Sequence, residues 1–301
     1  MSERAVMEPV LAFTGERYTP EGVREIAYEH WHRYAFALGL AKGRRVLDAA
    51  CGEGYGSAML AQVARDVVGV DLSDAAVAHA RSRYGASSLR FERGDATALA
   101  AFDAAQFDLI VSFETLEHVQ EQERMLDGFA RLLAPDGLLL ISTPDKRTYT
   151  DASGQLNPHH VRELYRDEFE SLLRPRFPHV RLYAQKLLFQ SALWALDVAD
   201  GATQALVQDG ARVANRLNYP PLYYLAVCAR SVDALDGLPA LSLYGDAQES
   251  VYAHYNGEVR RNIAAGGRIA ELEAELATLK STLATQITSS ADVPPSDRSR
   301  D

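Results

Sequence analysis

Three acidic residues, Asp48, Asp71 and Asp95, stand where short apolar runs give way to loops. Around the first, Val46-Leu47-Asp48-Ala49-Ala50-Cys51-Gly52-Glu53-Gly54-Tyr55-Gly56 passes from a strand pattern straight into a glycine loop and then a helix pattern. Glycines let a backbone approach a ligand where a Cβ would collide. Asp71 ends the next apolar run, 19 positions after Gly52, where a carboxylate can accept hydrogen bonds from both hydroxyls of a ribose. Gly94-Asp95-Ala96 follows the third run, where a carboxylate and a backbone N–H can read an adenine edge. Taken alone, Asp95 is equally a turn or helix-cap aspartate.

Two cofactor classes share this loop chemistry. A dinucleotide site wants G-x-G-x-x-G, with its third glycine seating a pyrophosphate at a helix N-terminus. Counted from Gly52, that third position is Ser57, and the extra glycine is Gly56. The negative charge of Asp48 disfavours a pyrophosphate and suits a ligand carrying an ammonium and a sulfonium, such as S-adenosyl-L-methionine. Transfer of its methyl group is an in-line displacement from an activated donor, so the protein has mainly to align the nucleophile. A hydroxyl nucleophile must also lose its proton.

Candidate bases fall in two places. Phe113-Glu114-Thr115-Leu116-Glu117-His118 follows the fourth apolar run, at the sheet rim where ligands of open α/β folds bind. Asn157-Pro158-His159-His160 precedes a helix pattern expected over 161–173, whose dipole would hold a nearby imidazole neutral and basic. Glu114, His118, His159 and His160 are therefore the catalytic candidates, although Glu114 and Glu117 could simply open a helix and one of the paired histidines could be a structural hydrogen-bonder. Their spacing matches no zinc pattern, and no metal is expected. Upstream, Gly15-Glu16-Arg17-Tyr18 and Glu29-His30-Trp31-His32-Arg33-Tyr34 suit a lid or an ordinary amphipathic helix, with Arg17 or Arg33 able to reach a carboxylate or an anionic substrate.

The elements that must position these groups follow from periodicity. A helix is expected over 23–41, then strands at Arg45–Ala50, Val67–Asp71, Leu89–Arg93, Phe107–Phe113 and Leu138–Thr143, with helices after the first, second and fourth. Short apolar strands alternating with helices imply a parallel, doubly wound α/β sheet covered on both faces. Val180–Phe189 and Leu222–Ala229 add two late strands, with a helical composition at 191–217 between them as a substrate cover or oligomer contact. Ile269, Leu272, Leu276, Leu279 and Leu283 step by 3, 4, 3 and 4, the seam of a coiled coil or of one amphipathic helix packed on its own domain. The expected organisation is a helical lid at 1–42, a core domain at 43–232, a connector at 233–257, the seam helix at 258–288 and a disordered tail at 289–301.

Composition excludes other classes. The 301 residues are 47% hydrophobic and 24% charged, enough to bury a core without staples. The net charge of −10 argues against a nucleic-acid partner, which needs a basic face. The two cysteines, Cys51 and Cys228, are too few for a disulfide framework. No leader pattern and no apolar run of membrane-spanning length is present, so a cytoplasmic location is expected.

Residues 44–143 resemble a class I S-adenosylmethionine-dependent methyltransferase in Val46–Gly56, Val68–Asp71, Gly94-Asp95-Ala96, Phe107–Ser112 and Leu133-Ala134-Pro135-Asp136-Gly137-Leu138. The resemblance implies a Rossmann-like, seven-stranded sheet whose last strand is antiparallel, a role that Leu222–Ala229 fits. It implies that Asp48 and Ala50 with the loop glycines Gly52, Gly54 and Gly56 face the methionine part of the cofactor, that Asp71 and Leu72 hold the ribose side and Asp95 and Ala96 the adenine, with Phe113 also at the cofactor. Ala50 departs from the family, where glycine is usual. Residues 13–230 further resemble bacterial methyltransferases of polysaccharide and sugar-nucleotide pathways. That implies O-methylation of a sugar hydroxyl of a glycan or nucleotide-sugar, with Arg17, Tyr18, His30, Arg33, Tyr34 and Glu117 around the acceptor. It also implies homo-oligomers through the C-terminal helix and contact with glycan-assembly proteins. A small-molecule O- or N-methyltransferase and an inactive methyltransferase-like scaffold are the alternatives.

Overall fold

The computed structural model describes residues 25–197 and 203–291, with side chains from 26 to 284. These residues form β1 (Arg45–Ala49), β2 (Asp66–Asp71), β3 (Leu89–Arg93), β4 (Phe107–Ser112), β5 (Leu133–Pro144), β6 (His179–Gln185), β7 (Leu206–Asp209), β8 (Arg212–Asn215) and β9 (Tyr223–Ala229). The helices are α1 (Glu25–Ala41), α2 (Tyr55–Leu60), α3 (Asp74–Arg83), α4 (Gln122–Leu132), α5 (Arg166–Leu173) and α6 (Ser250–Ala291).

Seven strands make one sheet in the order β3-β2-β1-β4-β5-β9-β6. Neighbours from β3 to β5 are parallel, whereas β9 runs antiparallel to both β5 and β6. The expected antiparallel last strand is therefore present, inserted one place from the edge. Alternate residues serve opposite faces, which explains the nearly continuous apolar runs. Leu47, Val68, Ile110, Leu139 and Ala226 enter the core under α4 and α5, whereas Val46, Val67, Leu109, Leu140 and Val227 enter the core under α1 and α2. Strand order reverses between β1 and β4, which opens a crevice at their C-terminal ends. Between Phe107↔Leu133 and Leu109↔Leu138 the register shifts, accommodating Pro135-Asp136-Gly137 as a bulge.

Two expectations about the later chain are corrected. The helix expected from 161 begins at Arg166. The Val161 and Arg162 amides donate to the carbonyl of Glu117, at 2.7 and 3.1 Å, and Leu164 forms a β-bridge with Asp145, so the backbone stays extended up to Tyr165. Glu168 then caps the real start by accepting from the Tyr165 amide at 2.9 Å. The helical composition at 191–217 yields no helix among its described residues, and β7 and β8 form an antiparallel hairpin there. Its turn is closed by the pair Asp209↔Arg212, with Gly210 at φ +57°, a backbone that glycine adopts without penalty.

The chain divides after Tyr244 into two compact units. Residues 233–244 pack within the first unit: Leu235 is buried, Tyr183 Oη donates to the Pro239 carbonyl at 2.8 Å, and His32 pairs with Ser242 Oγ at 2.9 Å. The second unit contains α6, which starts eight residues before the expected 258 and includes Ser289–Ala291 of the expected tail. Asp246 anchors its start by accepting from Ser250 N and Oγ. The seam residues Ile269, Leu272, Leu276, Leu279 and Leu283 are all exposed, by 46–66%.

Candidate functional site

The switch-point crevice is a cleft of about 400 Å³ whose lining includes Ala50, Gly52, Asp71, Leu72, Phe113 and Glu114. One half is built by the glycine loop. Ala50, at φ +63°, turns the chain out of β1, and the Cys51 amide donates to the Val70 carbonyl at 2.9 Å. Gly52, at φ +58°, donates its amide to Asp71 Oδ2 at 2.9 Å, and Asp71 Oδ1 accepts from the Ser73 amide at 2.9 Å. These two bonds hold the carboxylate at the C-terminal end of β2, in the wall of the cleft. Gly54, at φ +93°, opens α2 where a Cβ would lie 2.8 Å from Phe91 and Ala80. A Cβ on Gly56 would lie 2.0 Å from the Tyr34 ring. These two glycines therefore permit packing of the loop, while Gly52 lines the cleft.

Asp48 lies beneath the loop, outside the cleft lining. It accepts from Ser57 Oγ at 2.6 Å and from Tyr34 Oη at 3.2 Å. Burial pushes its carboxyl up to about 7, with the Asp71 charge adding to the rise. Burial likewise pushes the Cys51 thiol up. A second buried carboxylate, Glu53, holds the loop to α3 by accepting from Tyr84 Oη at 2.9 Å and pairing with His79 Nε2 at 2.9 Å. Sequence reasoning missed Glu53, whose partners lie 26 and 31 residues on. Asp95 is exposed and outside the cleft lining, with Oδ1 accepting from the Thr97 amide and hydroxyl, both at 2.8 Å. That is turn chemistry. Ala96 is buried in the core, whereas Leu72 stands 64% exposed at the cleft rim.

The other half carries titratable groups from three directions. Glu114, at φ +51°, follows β4 and accepts from Ser142 Oγ at 2.6 Å. Its Oε1 lies 3.4 Å from Arg33 Nη2. Arg33 is itself buried, stacked over Tyr223 and donating from Nε to Gln185 at 2.8 Å, so it supports the wall without lining it. Glu117 is buried and accepts from Thr143 Oγ1 at 3.1 Å. Burial raises its carboxyl well above the usual range, and the Glu114 charge adds to this.

His118 and His160 meet ring edge to face, with centroids 4.9 Å apart. The strap at 157–165 causes this meeting. Besides the two amides on the Glu117 carbonyl, Gln122 Nε2 donates to the carbonyls of Leu116 and Arg162, at 2.8 and 3.0 Å. The hydrogen bonds fix both tautomers. His118 Nδ1 faces the His159 carbonyl at 3.1 Å and must donate, leaving the lone pair on Nε2. His160 Nδ1 donates to Glu163 Oε1 at 2.5 Å, and its Nε2 accepts from the Asn157 amide at 3.0 Å. α5 starts only at Arg166, beyond these histidines, and His160 is held by its bond to Glu163. Donor atoms of Glu117, His118 and His160 all lie within 4.8 Å of one another, a grouping that could hold a metal ion and that sequence spacing did not suggest.

Of the sequence candidates, Glu114, Glu117, His118, His160, His30 and Tyr34 share the cleft with Ala50, Gly52, Asp71, Leu72 and Phe113. His159 is exposed and contributes its backbone, not a cleft-lining side chain. His30, paired with Tyr55 Oη at 3.2 Å, is held neutral first by burial and then by Arg33. Arg17 and Tyr18 lie outside the described residues. Tyr149, Asn157 and Tyr223 line the cleft but were not among the candidates. Tyr223 could have been found: an antiparallel strand begins at the rim where its parallel neighbours end.

Residues 47–141 match the family model described as a methyltransferase domain. A Mycolicibacterium smegmatis protein named "probable S-adenosylmethionine-dependent methyltransferase" is 40% identical over 169 residues, 54% of this chain and 63% of that protein. A ubiquinone biosynthesis O-methyltransferase of Psychrobacter arcticus is 39% identical over 116 residues, 37% of this chain and 45% of that protein. The chain thus spans less than two thirds of the length of either relative. A crystal structure of a TehB-like SAM-dependent methyltransferase from Corynebacterium glutamicum aligns with a TM-score of 0.44 at 18% identity, over 66% of this chain and 88% of that chain. No helix among the described residues is long and apolar enough to cross a membrane.

Proposed function

We propose that this chain, built around the methyltransferase domain of residues 47–141, uses S-adenosyl-L-methionine to methylate the hydroxyl of an acceptor bound in the same cleft. The supporting observation is the division of one cleft into a cofactor half, where Asp71 and Gly52 are locked together, and an acceptor half, where Glu117, His118 and His160 converge. The ribose hydroxyls donate to the Asp71 carboxylate, and Leu72 covers the nucleoside at the rim. The acceptor hydroxyl gives up its proton in the Glu117–His118–His160 cluster. Its oxygen then attacks the methyl carbon, and the electron pair of the broken C–S bond stays on sulfur.

The acceptor in this reading is a sugar hydroxyl of a glycan or nucleotide-sugar. Imidazole, phenol, amide and carboxylate groups around the acceptor half offer both donors and acceptors, and Tyr149 adds an aromatic ring, as a polyhydroxylated ring requires. A phenolic hydroxyl is the second reading, favoured by the ubiquinone biosynthesis O-methyltransferase among the relatives. Incubation with labelled methyl donor and panels of sugar and phenolic acceptors tests both. Label in a sugar methyl ether supports the first reading, label only in phenols replaces it with the second, and label in neither overturns O-methylation. His118→Ala and His160→Ala are expected to lower turnover by about 10²–10⁴-fold while leaving cofactor affinity nearly unchanged.

Self-association through the exposed seam of α6 is part of the same reading. Sedimentation of the full chain should give an oligomer that Leu272→Glu with Leu279→Glu converts to a monomer. An unchanged sedimentation coefficient would remove the seam from this role.

A further inference from the structure

The geometry points to a divalent-cation site, of the kind filled by zinc, formed by Glu117, His118 and His160 at the acceptor end of the cleft. The inference rests on the methyltransferase reading and deepens it by naming how that cluster acidifies the acceptor. Two imidazoles and one carboxylate are a ligand set for a catalytic transition-metal ion, which keeps an open position for substrate. Their donor atoms lie within 4.8 Å of one another, and His118 Nε2 is 3.8 Å from Glu117 Oε1. A tetrahedron with metal–ligand bonds of about 2.0–2.1 Å has edges of about 3.3 Å, so shifts of the order of 1 Å at the side-chain tips would close the set.

The surroundings carry the case further. A metal-binding histidine characteristically donates its other N–H to a backbone carbonyl or a carboxylate, which fixes the ring and the tautomer. Both arrangements are present: His118 Nδ1 donates to the His159 carbonyl, and His160 Nδ1 donates to Glu163 Oε1. The lone pairs are thereby left on the two Nε2 atoms. At His160 the Asn157 amide now occupies that lone pair, and cation binding would release the amide toward the cleft, which Asn157 already lines. Glu117 is buried with Oε2 accepting from Thr143, and its Oε1 turns toward His118.

An acceptor hydroxyl bound at the open position of such a cation becomes acidic enough to release its proton to solvent water. The resulting oxygen anion forms the new bond to the methyl carbon as the C–S bond breaks, leaving a neutral thioether.

Calorimetric titration of zinc into the chelator-treated full chain tests the site. One equivalent is expected to bind, and Glu117→Gln, His118→Ala and His160→Ala should each weaken it by at least about 10-fold. His159→Ala should bind as wild type does, because its side chain lies outside the cleft lining and its carbonyl remains. Cobalt titrated into the wild-type protein should give visible absorption bands of a nitrogen-ligated, low-coordinate ion, a readout independent of how the variants fold. Absence of a stoichiometric site, or equal affinity in the three ligand variants, would overturn the proposal. S-adenosylhomocysteine titrated into the same samples separates the two claims. Its binding without a zinc site removes only the cation, whereas failure to bind removes the methyltransferase reading itself.

Discussion

Arg33 and Glu114 meet inside the protein, guanidinium Nη2 to carboxylate Oε1 at 3.4 Å, and so tie α1 to the segment that follows β4. Arg33 also stacks on Tyr223 and donates to Gln185, so a single side chain joins three parts of the cleft wall. Replacing it with methionine keeps the volume and leaves Glu114 facing Ser142 alone. Loss of one partner from a fully buried ion pair costs about 3–5 kcal/mol, and Glu114, 15% exposed at the cleft, keeps part of its solvation. Arg33→Met should therefore lower stability in chemical denaturation by less than that range, and Glu114→Gln in the same background should recover part of it. A change below about 0.5 kcal/mol, the usual effect of a surface substitution, would show that the contact is not structural.

Ala50 occupies the left-handed region at φ +63°, where a Cβ is crowded by its own backbone. That conformation costs a non-glycine residue about 1–2 kcal/mol, partly offset by the greater freedom glycine has when unfolded. Ala50→Gly is expected to raise stability by about 1 kcal/mol and the melting temperature by about 2–4 °C. A lower melting temperature would mean that the Ala50 methyl group packs better than its backbone fits.

The Asp48 carboxyl rises from 3.8 to about 7 because it is buried. Between about pH 4 and 7 the folded protein therefore holds one proton that the unfolded chain has released. This contribution is complete below the unfolded value and is lost as pH rises through the folded one. The difference amounts to about 4 kcal/mol at most. Wild-type melting temperature should fall between pH 5 and pH 8 more steeply than that of Asp48→Asn, which keeps acceptors for Ser57 and Tyr34. Parallel curves would show that Asp48 is already ionised in the folded state.

The sheet was legible because both of its faces are covered, so Val46–Leu47 and Leu138–Ile141 had to be apolar at every position. The glycine loop and Asp71 were legible because they are local: strand, turn and carboxylate follow one another along the chain. What distant contacts decide was not. The helix starts only at Arg166 because Leu164 is paired as a bridge with Asp145, 19 residues earlier, which keeps the chain extended to Tyr165. The hairpin at 206–215 was hidden because its Leu206 and Val213 are exposed, which removes the burial pattern that announces a strand. Asp48 read as a ligand contact but lies under the loop, because Ser57 and Tyr34, which hold it, come from two different helices. Glu117, His118 and His160 carry no metal-like spacing, and it is the strap, not the spacing, that brings them together.

The measurement that bears most directly on the cofactor cleft is calorimetric titration of S-adenosylhomocysteine into the wild-type chain and into Asp71→Ala. Asp71 offers charge-assisted hydrogen bonds of about 1.5–3 kcal/mol each, so its loss should weaken binding by about 10–100-fold or more. One bound equivalent in wild type, and affinity reduced by that margin in a variant with an unchanged circular dichroism spectrum, is the expected result. No binding to wild type, or equal affinity in Asp71→Ala, would contradict it.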